Sequence, residues 1–456
     1  MEFELILKIG GKDATASSVS LGKVCGRQVC DEALLGLQLA EAKQVLARLQ
    51  TEIVTTQARA VFGERQACPC CTAMPLIKDY QQVRYRSLFG EVALRVPRFS
   101  KCGCIAPGTR RPQRRWISAE LECVQSELAA GLSYRRATDV LHKLLPVGQS
   151  HCASTVRAHT LRLGQRLDAE MALSQVAVQP PANVTTIGLD GGYVRHSDAS
   201  VGQNFEIIAG RVLTEDGSQR SVGFVRSVDA DSRTRVQHAV AALGSADEGL
   251  RVFTDGDDRL RDLQLAVLPD ATHVLDWYHL TRKLTVLASV INGKPSGAEL
   301  ETHDQDRLSE WMDSAKWRLW HGRAPGALAR LDDMQERMER LAKVTKGKGR
   351  NKPVLKRMIK LTTELRRYVS NNADSIPDYA KRYRAGERIS TAFVESAVNQ
   401  IIDKRMSKSQ QMRWSPQGAH LLVQVRTSVI DGRLREDFAR WHPGFPANDS
   451  ILQKQA

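Results

Sequence analysis

Two short stretches carry a carboxylate behind an apolar run. In Ile187-Gly188-Leu189-Asp190-Gly191-Gly192 an aspartate is followed by glycines, and Arg251-Val252-Phe253-Thr254-Asp255-Gly256-Asp257-Asp258 repeats that order. A strand end fixes the direction of such a carboxylate, and neighbouring glycines let a substrate backbone come close, which suits Asp190 and Asp255 as ligands for a hard divalent cation. Both at one sheet edge would repel each other, and Mg²⁺ would neutralise the repulsion. An Asp-Gly hairpin turn is an equal alternative for Asp190. Asp257 and Asp258 are better read as caps of a helix beginning near Arg259. A third carboxylate, Glu395, sits among apolar neighbours: Val394, Ala397, Val398 and Ile401 form a packing stripe, with Glu395 and Asn399 along its border. A carboxylate so placed is expensive unless paired or metal-bound, although a solvent-edge glutamate is the commoner use of the position.

Cysteines and cations supply the other candidates. Cys68-x-x-Cys71 and Cys102-x-Cys104 are two close pairs with zinc-ribbon-like spacing, suited to a structural Zn²⁺ that knits hairpins with too little core to fold alone. Cys70 competes as a ligand, the second pair is one residue tight, and buried unligated cysteines remain an alternative. Around the second pair, Arg98, Lys101, Arg110, Arg111, Arg114 and Arg115 occur with no acid between them, a density that fits phosphate contact or a solvated loop. Beyond Glu395, Lys404, Arg405, Lys408, Arg413 and Arg426 repeat the theme; Trp414 could stack on a base or simply pack in its domain.

The elements that must position these residues fall into blocks. Residues 1–63 read as a helical segment, with apolar spacing from Leu34 to Leu49. Residues 64–117 hold two β-like runs, Gln82 to Tyr85 and Glu91 to Val96, as a cysteine-pinned module. Residues 118–178 suggest three helices in a helix-turn-helix arrangement, the third capped by Ser150 or Ser154. Pro180-Pro181 marks a linker. In 184–279 strands at 184–190, 205–213 and 221–228 precede helices at 230–244 and 258–267 that alternate with strands at 251–254 and 271–276, which favours a mixed sheet with helices packed on it. Residues 280–385 look helical, and 343–367 within them carry ten Lys/Arg and one acid, Glu364. Amphipathic helices return over 386–441, and 442–456 form a tail. The fold class is multidomain α/β.

Across 456 residues, 66 Lys/Arg against 51 Asp/Glu leave a net charge of +15, a balance that makes nucleic acid the first partner to test. No run of 18 apolar residues occurs and the start, Met1-Glu2-Phe3-Glu4, is acidic, so neither a membrane span nor export is expected. Nine cysteines, four of them forming the two close pairs, fit metal ligands in a reducing compartment better than disulfides.

The stretches Leu189-Asp190-Gly191-Gly192-Tyr193-Val194-Arg195, Thr254-Asp255-Gly256, Asp276-Trp277-Tyr278-His279 and Ile389 to Gln400, followed by Lys404-Arg405-Met406 and Gln410 to Trp414, resemble the transposases of bacterial ISKra-type insertion sequences. The resemblance covers most of the chain and is near-verbatim around Glu395. It implies a DDE transposase with a ribonuclease-H-like catalytic domain, in which Asp190, Asp255 and Glu395 hold Mg²⁺ (or Mn²⁺) and 280–385 form a helical insertion. Asp276 and His279 match an Asp/Cys-x-x-His signature of a wider group that resembles the Mutator-like transposases. Their spacing puts both on one helix face, where they could steady DNA or the site; a capping Asp276 with His279 bonding back is equally open, and a zinc site is not expected. The resemblance further implies cleavage at terminal inverted repeats and joining to target DNA, double-stranded DNA as partner, a homodimer or larger synaptic assembly, and a cytoplasmic, nucleoid-associated bacterial protein. A metal-dependent nuclease of the same fold and a non-catalytic DNA-binding regulator are the alternatives.

Overall fold

The computed structural model describes residues 2–9, 17–25, 32, 35–63, 72, 74, 76–100, 115–173, 183–229, 232–293, 302–344, 352–390, 392–407 and 412–447. The chain divides into two compact units, Met1–Gly164 with Gly432–Ala456, and Gln165–Asp431.

In the first unit the amino-terminal stretch is not wholly helical. Strands β1 (Glu2–Ile9) and β2 (Ser17–Cys25) pair antiparallel before the first helix, α1 (Leu39–Gly63). Alternation in Glu2-Phe3-Glu4-Leu5-Ile6 and Val19-Ser20-Leu21 is the period-2 signal behind that pair. Strands β3 (Ile77–Ser87) and β4 (Gly90–Phe99) form a second antiparallel hairpin, tightened at Gly90 by a φ of 127°. Val83, Val92, Leu94 and Val96 turn one face of it onto Val54 of α1. Helices α2 (Ala119–Gly131) and α3 (Tyr134–Leu144) are capped by Ser118 and Ser133, whose hydroxyls accept from Leu121 and Arg136 main-chain N–H groups. Neither Ser150 nor Ser154 caps α4 (Ala153–Leu173) in the same way: the Ser150 hydroxyl is turned to Glu91, and that of Ser154 to Cys152 Sγ. The four cysteines of the two close pairs lie outside the described residues.

The second unit is built on a five-stranded mixed sheet in the order β7-β6-β5-β8-β9: β5 (Asn183–Arg195), β6 (Asn204–Thr214), β7 (Gln219–Val225), β8 (Ser245–Thr254) and β9 (Thr272–Leu275). The first three strands are antiparallel; β8 and β9 run parallel to β5. Helices α5 (Ser232–Ala241) and α6 (Asp258–Val267) cover one face, burying Val236 and Leu260 against Ile208 and Phe224. The other face receives α12 (Ala392–Val398), a π-helical segment (Asn399–Ser407) and α13 (Pro416–Ile430). Between the two halves of the sheet domain, α7 (Trp277–Asn292), α8 (Thr302–Trp320), α9 (Ala324–Val344), α10 (Lys352–Asn371) and α11 (Tyr379–Arg384) assemble around their own core of Leu284, Leu308, Met312, Leu331, Met334 and Tyr379. The chain then closes with α14 (Leu434–Trp441) in the first unit, where Arg435 bonds Glu120 of α2 at 3.0 Å. Among the described residues no helix is long and apolar enough to cross a membrane.

Asp190 does not end a strand and Asp190-Gly191 is not a hairpin turn, because β5 runs on through both glycines to Arg195, paired with β6 throughout. Backbone hydrogen bonds to β6 outweigh the conformational freedom that two glycines would otherwise offer.

Candidate active site

Three aspartates come level across the parallel part of the sheet. Gly188 of β5 pairs with Phe253 of β8, so two residues further Asp190 stands beside Asp255; Thr254 pairs with Leu275, so Asp255 in turn stands beside Asp276. Neighbouring strands are about 4.8 Å apart, and the position is the point where parallel strands end beside a strand that continues. Crevices at such carboxyl ends are where open α/β sheets bind ligands.

Each carboxylate has a distinct setting. Asp190 is buried, 9% exposed, with its Oδ1 accepting from the Gly191 N–H at 2.7 Å. Burial pushes its carboxyl up to about 6; the nearby Asp255 and Asp276 charges add to the push while His279 and the Gly191 bond oppose it. Asp255 is half-buried and accepts from the Asp257 N–H at 2.9 Å, fixing the loop that leads into α6. Asp276 is fully buried and serves as the N-cap of α7, accepting from the Tyr278 N–H at 2.9 Å, while its Oδ2 meets His279 Nδ1 at 2.7 Å. The opposite nitrogen, Nε2, is turned toward Asp190 Oδ2 at 3.9 Å. Burial pulls the His279 imidazole down, but the Asp276 hydrogen bond and the Asp190, Asp276 and Asp255 charges outweigh it and hold His279 above the ordinary histidine value. Asp276 thus caps α7 with His279 bonding back to it, and the far side of the His279 ring faces Asp190.

Glu395 arrives from the second half of the sheet domain. Strand alternation puts Gly188, Asp190 and Gly192 on one face, and there α12 and the π-helical segment press directly on β5. A Cβ at Gly188 would collide with Val394 Cγ2, and one at Gly192 would lie 2.7 Å from Ile402 Cδ1. These two glycines therefore make room for the helix that carries Glu395, not for a substrate backbone. Glu395 is exposed, and Tyr278 Oη donates to its Oε1 at 3.3 Å, with the Tyr278 and His279 rings 5.5 Å apart. Asn399, four residues on, is half-buried at the first position of the π-helical segment. Among the described residues no three or more His, Cys, Asp or Glu side chains are grouped closely enough to hold a metal ion together.

Gly188→Ala is accordingly expected to destabilise the second unit by about 1–3 kcal/mol through overpacking. Val394→Ala in the same chain is expected to restore most of the loss, which thermal unfolding of the two single variants and the double variant would measure; additive losses would contradict the packing account.

The helical block holds the ends of the strands. Tyr368 Oη of α10 donates to the Asp255 main-chain oxygen at 2.7 Å, and Tyr379 Oη of α11 to that of Leu275 at 2.8 Å. Gly256 takes a φ of 85°, with buried Asn372 where a Cβ would fall. His273 is pinned between Thr254 Oγ1 at 2.8 Å and Ser375 Oγ at 2.7 Å. No family model matches the chain, and no curated protein does.

Several residues expected at a nucleic-acid surface are elsewhere. Arg426 is buried; it donates to the main-chain oxygens of Ile401, at 2.6 Å, and Gln400, supporting carbonyls of the π-helical segment. Burial brings its guanidinium down to about 9. Arg405 is also buried, 5.1 Å over the ring of Trp414, and Trp414 packs in the core while its main chain bridges Arg195 and Ser197. None of the three is available to a phosphate or a base; the apolar surroundings that make an indole a stacking platform also make it core. Arg98 is exposed and ion-paired with Asp79, Arg115 bonds Glu122 at 3.1 Å, and Lys404 and Arg413 are exposed. Lys101, Arg110, Arg111, Arg114 and Lys408 lie outside the described residues. Tyr278, Tyr368 and Tyr379 are site-supporting residues that the sequence did not single out, since a tyrosine in a helical pattern reads as packing.

Proposed function

We propose that the protein is a DNA transposase of the DDE type, acting through a ribonuclease-H-like domain formed by residues 184–279 and 386–431 around the helical insertion, since α14 belongs to the first unit. The observation that carries the reading is the level placement of Asp190 and Asp255 on neighbouring parallel strands, with α12 laid on the same face of β5 so that Glu395 is tied to that corner through Tyr278. The strand order, antiparallel for three strands and parallel for two, also supports it.

The donor set suits Mg²⁺ or Mn²⁺: the oxygens are hard, and Asp190, buried beside like charges, stays ionised at neutral pH more readily with a cation. Asp190 and Asp255 would hold the metal, and Glu395, which is not grouped with them closely enough to share an ion here, would complete the triad when metal and DNA draw it in. When bound, the ions would activate a water or the DNA's own 3′ hydroxyl and stabilise the leaving oxygen at phosphorus. The chain's own part is positioning. Asp276 fixes the tautomer and direction of His279, whose Nε2 side faces the Asp190 carboxylate, and Tyr368 and Asn372 keep the Asp255 loop in place. The zinc-ribbon-like cysteines and the helices α2, α3 and α4 are the proposed readers of the element ends, and the basic residues of α10 a proposed contact for flanking or target phosphates.

The test is a pair of assays with purified full-length protein. Supercoiled plasmid carrying the element ends should be cut in Mg²⁺, with activity lost in excess EDTA and restored by added Mg²⁺ or Mn²⁺. Precut ends with excess target should then be joined. Cutting without joining would favour the nuclease alternative, and end binding with neither would leave a regulator.

A further inference from the structure

The face of the sheet opposite Glu395 carries a cleft that this chemistry does not use. Strand alternation turns Asp190 toward α12 and sends Gly191 and Tyr193 the other way. On that side β6, β7, α5 and α6 enclose an open cleft of about 190 Å³, floored by Phe224 and Leu260 and rimmed by Arg226, Arg233 and Arg259, with Asp262 the one carboxylate in its lining among the described residues. Arg233 and Arg259 are exposed, and among the described residues neither has a carboxylate partner. Glu206, which could have neutralised the rim, is already engaged: Arg226 donates to one of its oxygens at 3.1 Å and Tyr193 Oη to the other at 3.4 Å. Tyr193 nevertheless leaves 65% of its surface exposed.

Guanidinium groups gathered around a concavity repel one another, and their forks match phosphate oxygens in pairs. An uncovered aromatic ring beside them offers a face for a base or sugar. Arg259 lies in the first turn of α6, four residues beyond Asp255, so the cleft begins close to where the candidate carboxylates end. We infer that this cleft binds the sugar-phosphate backbone of a nucleic-acid strand that continues past the reacting phosphate, with Arg233 and Arg259 on its phosphates and Tyr193 stacked against it. The inference rests on the proposed nucleic-acid chemistry and adds a binding track for one strand on the reverse face of the sheet.

The experiment is a salt titration of binding by full-length protein in metal-free buffer, using a fluorescent single strand of mixed sequence. For single strands each phosphate contact contributes about −0.7 to the slope of log K against log salt. The Arg233→Ala/Arg259→Ala pair should flatten the slope by about 1.4 and weaken binding roughly tenfold or more near 0.1 M salt. The Arg233→Lys/Arg259→Lys pair should keep the slope, and Tyr193→Ala should weaken binding without changing it. A wild-type slope in the alanine pair would overturn the inference, as would equal competition by inorganic phosphate at matched ionic strength. Cleavage assays separate the two readings. Wild-type protein that binds the strand but cuts no DNA overturns the catalytic proposal alone; wild-type protein that cuts, with an unchanged slope in the alanine pair, overturns the cleft alone.

Discussion

Asp190→Asn is expected to lower Mg²⁺-dependent DNA cleavage by about 10³-fold or more, since losing a metal-binding oxygen removes several kcal/mol of transition-state stabilisation and each 1.36 kcal/mol is tenfold. Asp255→Asn and Glu395→Gln should do the same while binding of the element ends persists. A second readout distinguishes a functional carboxylate from a structural one. Asp190 is buried beside Asp255 and Asp276, and its carboxyl is pushed up to about 6, so its charge burdens the folded state at neutral pH. Removing that charge should raise stability in metal-free buffer by about 1–3 kcal/mol, allowing for the favourable His279 contact that is lost with it. Full cleavage in any of the three variants would refute the triad, and a large drop in stability for Asp190→Asn would mean that the carboxylate holds the sheet together.

The largest effect on stability is expected at Arg235. This buried side chain, 5% exposed, joins three elements of the second unit: it meets Asp168 of α4 at 2.7 Å and Asp229 at 2.9 Å through Nη2, and Gln424 of α13 at 2.7 Å through Nη1. His420 adds a contact to Asp168 at 3.1 Å. Burial would raise the Asp168 carboxyl, but hydrogen bonds from His420 and Arg235 outweigh it and bring it down to about 2. Arg235→Ala leaves Asp229 buried without its counter-charge and should cost about 3–5 kcal/mol, read as a lower denaturant midpoint. A carboxyl held below its ordinary value of 3.8 contributes stability that is complete above that value and is lost as pH falls toward 2. The gap between wild type and Asp168→Asn should therefore be widest above about pH 5 and narrow as pH falls from 4 to 2. An Arg235→Ala loss below about 1 kcal/mol would show that the cluster is not the clasp its geometry implies.

Much of the second unit was legible before folding because its signals are local. The runs 184–190, 205–213 and 221–228, the strands near 251–254 and 271–276, and the helix at 258–267 follow from period-2 and period-3.6 apolar patterns interrupted by Gly, Pro and Asp, and the mixed sheet follows from their order. The pairing of β1 with β2 is not legible in the sequence, because the helical pattern from Leu34 to Leu49 dominates the segment. Asp190 stands out by its residue type and its glycines, yet the reason for the glycines is not local. Gly188 and Gly192 are small because a helix some 200 residues later lies on them, and no spacing within β5 could state that.

The chain's own order of residues determined which side chains could do chemistry, the net positive charge that suits a polyanion, and the alternation of strands and helices, because residue type, charge and local periodicity need no partner. Tertiary structure alone decided that Asp190, Asp255 and Asp276 stand level, that Tyr278 links Glu395 to them, that Trp414, Arg405 and Arg426 are core, and that Arg226, Arg233 and Arg259 rim one cleft. Those are consequences of register and long-range packing. A one-residue slip of β8 against β5 would turn Asp255 to the other face while leaving every local propensity as it is.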